Sequence, residues 1–124
     1  MVTPRPDIAL ARAYDPPGDD GRARLLVDRL WPRGMTKAQL ALDDWLRDLA
    51  PSTELRRWFH RDPTGWDEFR TRYLAELAAN PAAVARALDW CRRGPVTLVY
   101  AARDRDRNHA LVLRDHLAGA RAGA

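Results

Sequence analysis

Lysine is almost missing from this chain: of 21 basic residues only Lys37 is a lysine, so arginine carries the positive charge. Cysteine occurs once, at Cys91, which excludes an intrachain disulfide, and no Cys/His spacing resembles a zinc site. No stretch reaches the roughly 18 consecutive apolar residues that a membrane span needs. Residues 1 to 7 lack the apolar segment of a signal peptide. Glycine-rich phosphate loops are also absent, which removes the common dinucleotide and triphosphate folds and any redox cofactor motif. The expectation is a cytoplasmic protein in a reducing compartment, with no membrane association, metal or cofactor.

What remains is 124 residues with a net charge of +4 and a pI near 10.0. That length suits one domain, with a core over about residues 7 to 118 and a frayed tail over 119 to 124. The arginines are interleaved with 17 acidic residues. Binding a phosphate backbone needs clustered charge, so the total favours a solvated mixed-charge surface over a nucleic-acid stripe.

Two apolar runs stand out, Leu25-Leu26-Val27 and Val96-Thr97-Leu98-Val99-Tyr100-Ala101-Ala102, and each reads as a strand covered on both faces. A shorter run, residues 7 to 14, reads as a further strand. The turn formers of residues 15 to 21 follow it, so the short connection to a strand at about Ala23 to Arg29 implies a hairpin. Beyond Gly34 the pattern is helical for about sixty residues. Thr36 and Gln39 form a capping box, with Met35 and Leu40 as a staple. Trp45, Leu46 and Leu49 continue an apolar stripe to Pro51. Ser52 caps a helix bearing Leu55, Trp58 and Phe59. Asp62 to Gly65 open a helix with Trp66, Phe69, Tyr73 and Leu77 inside and Glu68, Arg72 and Glu76 paired outside. Asn80 caps a helix starting at Pro81, with Val84, Leu88 and Cys91 on its buried side, and a last helix spans about Asp106 to Ala118. The fold class is therefore α/β: a small central sheet of about three strands, two of them parallel and far apart in sequence, flanked by five or six helices.

The segments LLVDRLWPRG, DDWLRDLAPSTELRRWF, HRDPTGWDEFRTRYLAEL and PVTLVYAARD followed by NHALVL resemble, in order and spacing, the YeaO-like branch of the bacterial family called domain of unknown function 488. The resemblance covers roughly residues 7 to 117. It implies a small cytoplasmic α/β domain and carries no established activity. The wider family has a related aspartate and arginine after its second strand, matched here by Asp28 and Arg29. Some members carry cysteines after the later strand, where this chain has Ala101 and Ala102, which argues against thiol or metal chemistry. The wider family also places a helix between its first two strands, so the resemblance implies a parallel pair where spacing implies a hairpin.

Parallel strands would bring their C-terminal ends to one edge, where ligands of α/β proteins usually sit. Asp28 and Asp104 then become neighbours, a carboxylate pair able to exchange a proton, with His109 as a nearby base; these three are the candidate catalytic residues. Arg29, Trp31, Arg33, Gly34, Arg103 and Asn108 are the candidate binding residues. Arg33-Gly34 precedes a helix start whose free amides attract anions, and forked guanidiniums suit phosphate or carboxylate. The same charges are equally explained as ion pairs of Arg29 and Arg33 with Asp28, Asp43 or Asp44. His116 lies about 10.5 Å along the helix from His109, too far to share a metal. His60 with Asp62 offers no metal site either. Of the five tryptophans, Trp45, Trp58 and Trp66 suit core packing, Trp31 can line a pocket, and Trp90 has no assigned place.

The leading functional expectation is therefore a domain that binds an anionic, phosphorylated or nucleotide-like small molecule at its strand ends. Any catalysis there would be hydrolysis or group transfer. Two alternatives stand beside it: a nucleic-acid module using Arg56, Arg57, Arg61, Arg92 and Arg93, and a protein-interaction domain without catalysis. Sequence alone leaves open whether the chain is an enzyme.

Overall fold

The second apolar run becomes the middle of the sheet. In the computed structural model, which describes residues 6–18 and 20–122, strand β4 (Val96–Tyr100) is buried at every position. It pairs with β1 (Ile8–Arg12) on one side and β2 (Ala23–Leu26) on the other. A two-residue strand, β3 (Asp44–Trp45), extends the sheet beyond β2. The order is β1-β4-β2-β3 and every pairing is parallel, so the α/β class holds with four strands rather than three.

The hairpin is the main correction. β1 and β2 do not touch as partners; they flank β4 and run the same way. Turn formers mark where the chain leaves β1 but not how far it travels before pairing. An all-apolar strand loses least to solvent at the sheet centre, and β4 can reach that place only if β1 and β2 part. The parallel arrangement agrees with the family resemblance, although residues 13–18 and 20–22 form no helix.

Side chains alternate across the sheet as strand geometry requires. Leu25, Val27, Val96, Leu98 and Tyr100 face one core together with Leu55, Phe69, Tyr73, Leu77, Val84, Leu113 and Leu117. Those partners come from α2 (Thr53–Arg61), α3 (Trp66–Ala78), α4 (Pro81–Arg93) and α5 (His109–Ala122). Leu26, Val99 and Ala13 face the other side, closed by Leu40, Trp31, Met35 and Leu42. That cover is the segment after β2, including the single-turn helix α1 (Lys37–Leu40).

The Thr36–Gln39 capping box forms, but α1 ends one turn later at Ala41, which adopts φ 48°. The expected helical stripe through Trp45 is therefore not helical. Asp43 exchanges two bonds of 2.8 Å with the backbone of Arg24, and Leu46 N–H donates to Leu26 C=O at 2.8 Å. These bonds stitch residues 43 to 46 to β2 before a 3₁₀ turn at Arg47–Leu49. Ser52 caps α2 through Leu55 N–H at 3.1 Å. It also donates its own N–H and hydroxyl to Glu76, which turns Glu76 inward, whereas Glu68 and Arg72 pair outside at 3.0 Å.

Three helix N-termini are capped differently from expectation, although α4 starts at Pro81 as expected. Asp62 accepts from the Thr64 hydroxyl, and Gly65 is the residue before α3. The Asn80 side chain donates to Asp48 C=O at 3.1 Å instead of capping α4. Asn108, not Asp106, precedes α5 and caps it through Leu111 N–H at 3.2 Å. That helix runs to Ala122, so the expected tail is helical that far; residues 123 and 124 lie outside the described residues, as do residues 1 to 5.

Gly34 sits at φ 80° in the turn closed by Met35 N–H on Pro32 C=O at 3.3 Å. A side chain there meets open space but an unfavourable backbone. Gly34→Ala is expected to cost about 1 kcal/mol in thermal unfolding; an unchanged melting temperature would show that the turn relaxes freely.

Candidate anion-binding edge

The C-terminal ends of β2 and β4 lie side by side and are tied together. Val27 N–H donates to Val99 C=O at 3.0 Å, and one step on, the Asp28 carboxylate takes over the ladder by accepting Ala101 N–H at 2.9 Å through Oδ2. Its other oxygen, Oδ1, lies 2.9 Å from His109 Nε2. Nε2 is also 3.0 Å from Val27 C=O. Both neighbours are acceptors, so Nε2 carries the ring hydrogen. The ring is directed at Val27 C=O, and Oδ1 is left buried with no donor aligned on it.

The Asp28–His109 pair sits against Tyr73, whose ring meets the imidazole edge-on at 6.2 Å. The Tyr73 hydroxyl donates to Leu49 C=O at 2.5 Å. Burial, followed by the charges of Glu76 and Asp28, pushes this phenol well above its ordinary range, so it stays a neutral donor. The Trp45 indole donates to Asp28 C=O at 2.6 Å. Asp28 is thus held from several sides.

Asp104 reaches the same edge but serves its own loop. Its carboxylate accepts Asp106 N–H at 2.9 Å and Arg107 N–H at 3.0 Å, and its C=O accepts from the Asn108 side chain at 2.9 Å. The two aspartates therefore share an edge without sharing a partner. Among the described residues Arg29 forms no ion pair and instead donates to the Ala50 and Pro51 carbonyls at 3.3 and 3.5 Å. Arg33 is exposed; its C=O accepts the Tyr14 hydroxyl at 3.1 Å. Arg103 is exposed as well. Trp31 donates to Met35 C=O at 2.7 Å and packs on Trp45 at 5.5 Å. These two indoles line a 230 Å³ cleft with Lys37, Leu42, Asp43 and Asp44. The expected pairing of Asp43 and Asp44 with Arg29 or Arg33 does not occur: Asp43 holds the Arg24 backbone, and Asp44 binds Arg86 and the Trp90 indole.

Sequence reasoning passed over several rim residues. Arg12, at the end of β1, donates to Ala102 and Ala101 carbonyls at 2.9 and 3.4 Å and lies over the Tyr14 ring. Arg105 pairs with both oxygens of Asp15 at 2.9 and 2.8 Å, which holds the Asp15 carboxyl below the ordinary range. Tyr14 and Leu30 are the large exposed apolar side chains among the described residues, 43% and 62% exposed. Both follow strand ends at this edge. The available signal was the apolar residue past each strand: Tyr14 after β1, which the strand reading of residues 7 to 14 absorbed, and Leu30 beyond β2, which it passed over.

Among the described residues no three His, Cys, Asp or Glu side chains gather as metal ligands, and no helix is long and apolar enough to cross a membrane. His116 instead lines a 310 Å³ groove between α3 and α5 with Arg70, Leu74, Val112, Asp115 and Gly119.

Four parallel strands, helices massed on one face and polar loops at the C-terminal edge define a small parallel α/β domain. The profile described as "Inactive DUF488-N3 subclade" matches residues 7–123, and the chain belongs to this family. It is 47% identical over 111 residues to "Uncharacterized protein YeaO" of Escherichia coli (strain K12), covering 90% of this chain and 96% of that one. It is 42% identical over 112 residues to "Uncharacterized protein Rv3073c" of Mycobacterium tuberculosis (strain ATCC 25618 / H37Rv), covering 90% and 94%. No solved structure matches.

Proposed function

We propose that this chain is a non-catalytic binding domain whose C-terminal sheet edge takes an anionic small molecule. One observation carries the reading. The groups that could do chemistry are engaged in structural contacts, Asp28 by Ala101 and His109 and Asp104 by its loop amides, whereas Arg33 and Arg103 on the same rim are exposed and outside every ion pair of the described residues. A carboxylate with one oxygen held by a backbone amide and the other buried beside an imidazole serves as a fixed strut. An unpaired guanidinium is a ready partner for phosphate or carboxylate oxygens. The subclade's description as inactive accords with this division of labour. Asn108 and Gly34 then act as loop formers, and Arg29 as a brace on the Ala50–Pro51 carbonyls, rather than as ligand contacts.

The test uses inorganic phosphate and a panel of nucleoside monophosphates, read by melting temperature and titration calorimetry. The parent is expected to be stabilised by at least one of these. The Arg33→Ala, Arg103→Ala double variant should bind it at least about tenfold more weakly with unchanged unliganded stability. Equal affinity in the double variant would remove the reading.

A nucleic-acid reading draws on Arg56, Arg57 and Arg61, which are all exposed on α2. Arg92 and Arg93 add little to it, because Arg92 pairs with Asp89 and Arg93 lies over Trp90. A steep fall of duplex affinity with salt, insensitive to Arg33 and Arg103, would favour that surface.

A further inference from the structure

The two edges of the sheet are built differently. On the β3 side the edge is two residues long, follows Asp43 and itself carries Asp44 with its Arg86 pairing, the kind of short charged rim that discourages pairing with another chain. On the β1 side the edge is five residues long, reads Ile-Ala-Leu-Ala-Arg, and is only half-buried throughout. It has no lysine, proline or bulge to blunt it.

Its hydrogen-bonding phase is determined by the contacts at its ends. Val96 N–H donates to Asp7 C=O at 2.9 Å and Ala13 N–H to Tyr100 C=O at 2.7 Å. Odd-numbered residues of β1 therefore turn their backbone groups toward β4, and even-numbered residues turn theirs outward. Arg12 confirms the phase and closes its own end: its N–H goes to Asp15 Oδ2 at 3.2 Å, and its C=O accepts Asp15 N–H at 3.0 Å. What stays open among the described residues is the N–H and C=O of Ile8 and of Leu10.

We infer that the β1 edge is a self-association surface, on which a second copy of this chain adds its own β1 antiparallel about a two-fold axis. Two open residues separated by one are self-complementary in that arrangement. Ile8 of one chain faces Leu10 of the other, and each such pair exchanges two N–H···O bonds, about four in all. The axis passes between the two Ala9 residues, a non-hydrogen-bonded pair whose Cα atoms approach to about 4.5 Å, which a methyl side chain permits. Antiparallel pairing also sets the Asp7 end of each strand against the Arg12 end of its partner, whereas parallel addition would align like ends; because Asp7 already pairs with Arg22 and Arg12 with the Ala101 and Ala102 carbonyls, this charge match supplements the backbone bonds that carry the association. Ile8 and Leu10 share the helix-covered face, where they already pack against the main core. Pairing would place these two and their counterparts in one apolar row across the junction. The sheets would join into one of eight strands, with the two candidate binding edges pointing in opposite directions.

Sedimentation equilibrium over a concentration series is the first test. The mass is expected to rise from 14.1 kDa toward twice that value. Ala9→Glu sets like charges across the axis at a half-exposed position and should hold the chain at the monomer mass with its circular dichroism unchanged. In parallel, Ala9→Cys should form a reducible covalent dimer under mild oxidation far faster than Ala11→Cys or the parent with its Cys91; this readout decides if the glutamate variant fails to fold. A parent that stays at 14.1 kDa throughout, a dimer indifferent to Ala9→Glu, or Ala9→Cys linking no faster than Ala11→Cys would each overturn the inference.

Discussion

Replacing Leu98 by alanine is expected to be the most destabilising single core truncation in this protein, at about 3–4 kcal/mol. Leu98 is fully buried at the midpoint of β4, paired in register with Leu10 of β1 and Leu25 of β2. Its side chain enters the core formed with Leu113, Leu117 and Tyr73. The cost of a lost isobutyl group depends on how far the surroundings can collapse into the space. Here collapse is obstructed, because the strand is hydrogen-bonded on both sides and cannot move toward the helices without breaking two ladders. For a chain of this length the loss corresponds to a fall in melting temperature of roughly 10–20 °C. Urea and thermal unfolding measure it, and a cost below about 1 kcal/mol would mean that the helix layer repacks freely over β4. Val99→Ala, on the thinner face closed by the segment after β2, should cost less, because fewer methylene groups are removed and that cover can settle.

Asp28→Ala should follow at about 2–3 kcal/mol. The substitution leaves Ala101 N–H without its acceptor at a largely buried place and removes the carboxylate beside His109, whose Nε2 keeps Val27 C=O. Asp28→Asn separates the two contributions. An amide oxygen can still accept Ala101 N–H in the same position, so only the charge facing the imidazole is lost and the cost should be about 1 kcal/mol. This ordering of variants also tests the functional reading. A structural strut gives a large alanine effect and a partial asparagine rescue in stability, measured without any ligand. An alanine variant as stable as the parent would return Asp28 to the list of residues kept for chemistry.

Some of this protein could be read directly. Local rules, whose physics acts over a few residues, carried over well: the Thr36–Gln39 box, the Ser52 cap, the inner face of α3 and the buried character of β4 all appear as expected. The candidate edge was legible in part for a related reason. Apolar runs that end in Asp28-Arg29 and Arg103-Asp104 announce strand ends, and a long crossover makes their strands parallel neighbours.

The failures share a cause of the opposite kind. Trp45 has an impeccable helical spacing from Leu46 and Leu49, yet Asp43 and Leu46 gain more by bonding to the backbone of β2 than by continuing α1. The place of β1 depended on β4, some eighty residues away, competing for the centre of the sheet. Glu76 looked like an outer partner of Arg72 until Ser52 arrived beside it in space.

Composition and local pattern by themselves determined the α/β class, the existence of the strands, the Thr36 and Ser52 caps and the family. Only the tertiary structure decided the order of the strands and the fate of each charge at the edge: Asp28 bound to Ala101 N–H and set beside His109, Asp104 bound to its own loop, Arg33 and Arg103 left outside. The reason is that a buried carboxylate or a strand edge is satisfied by whichever donor packing brings within about 3 Å, and that donor's position along the chain is not encoded near the residue it serves.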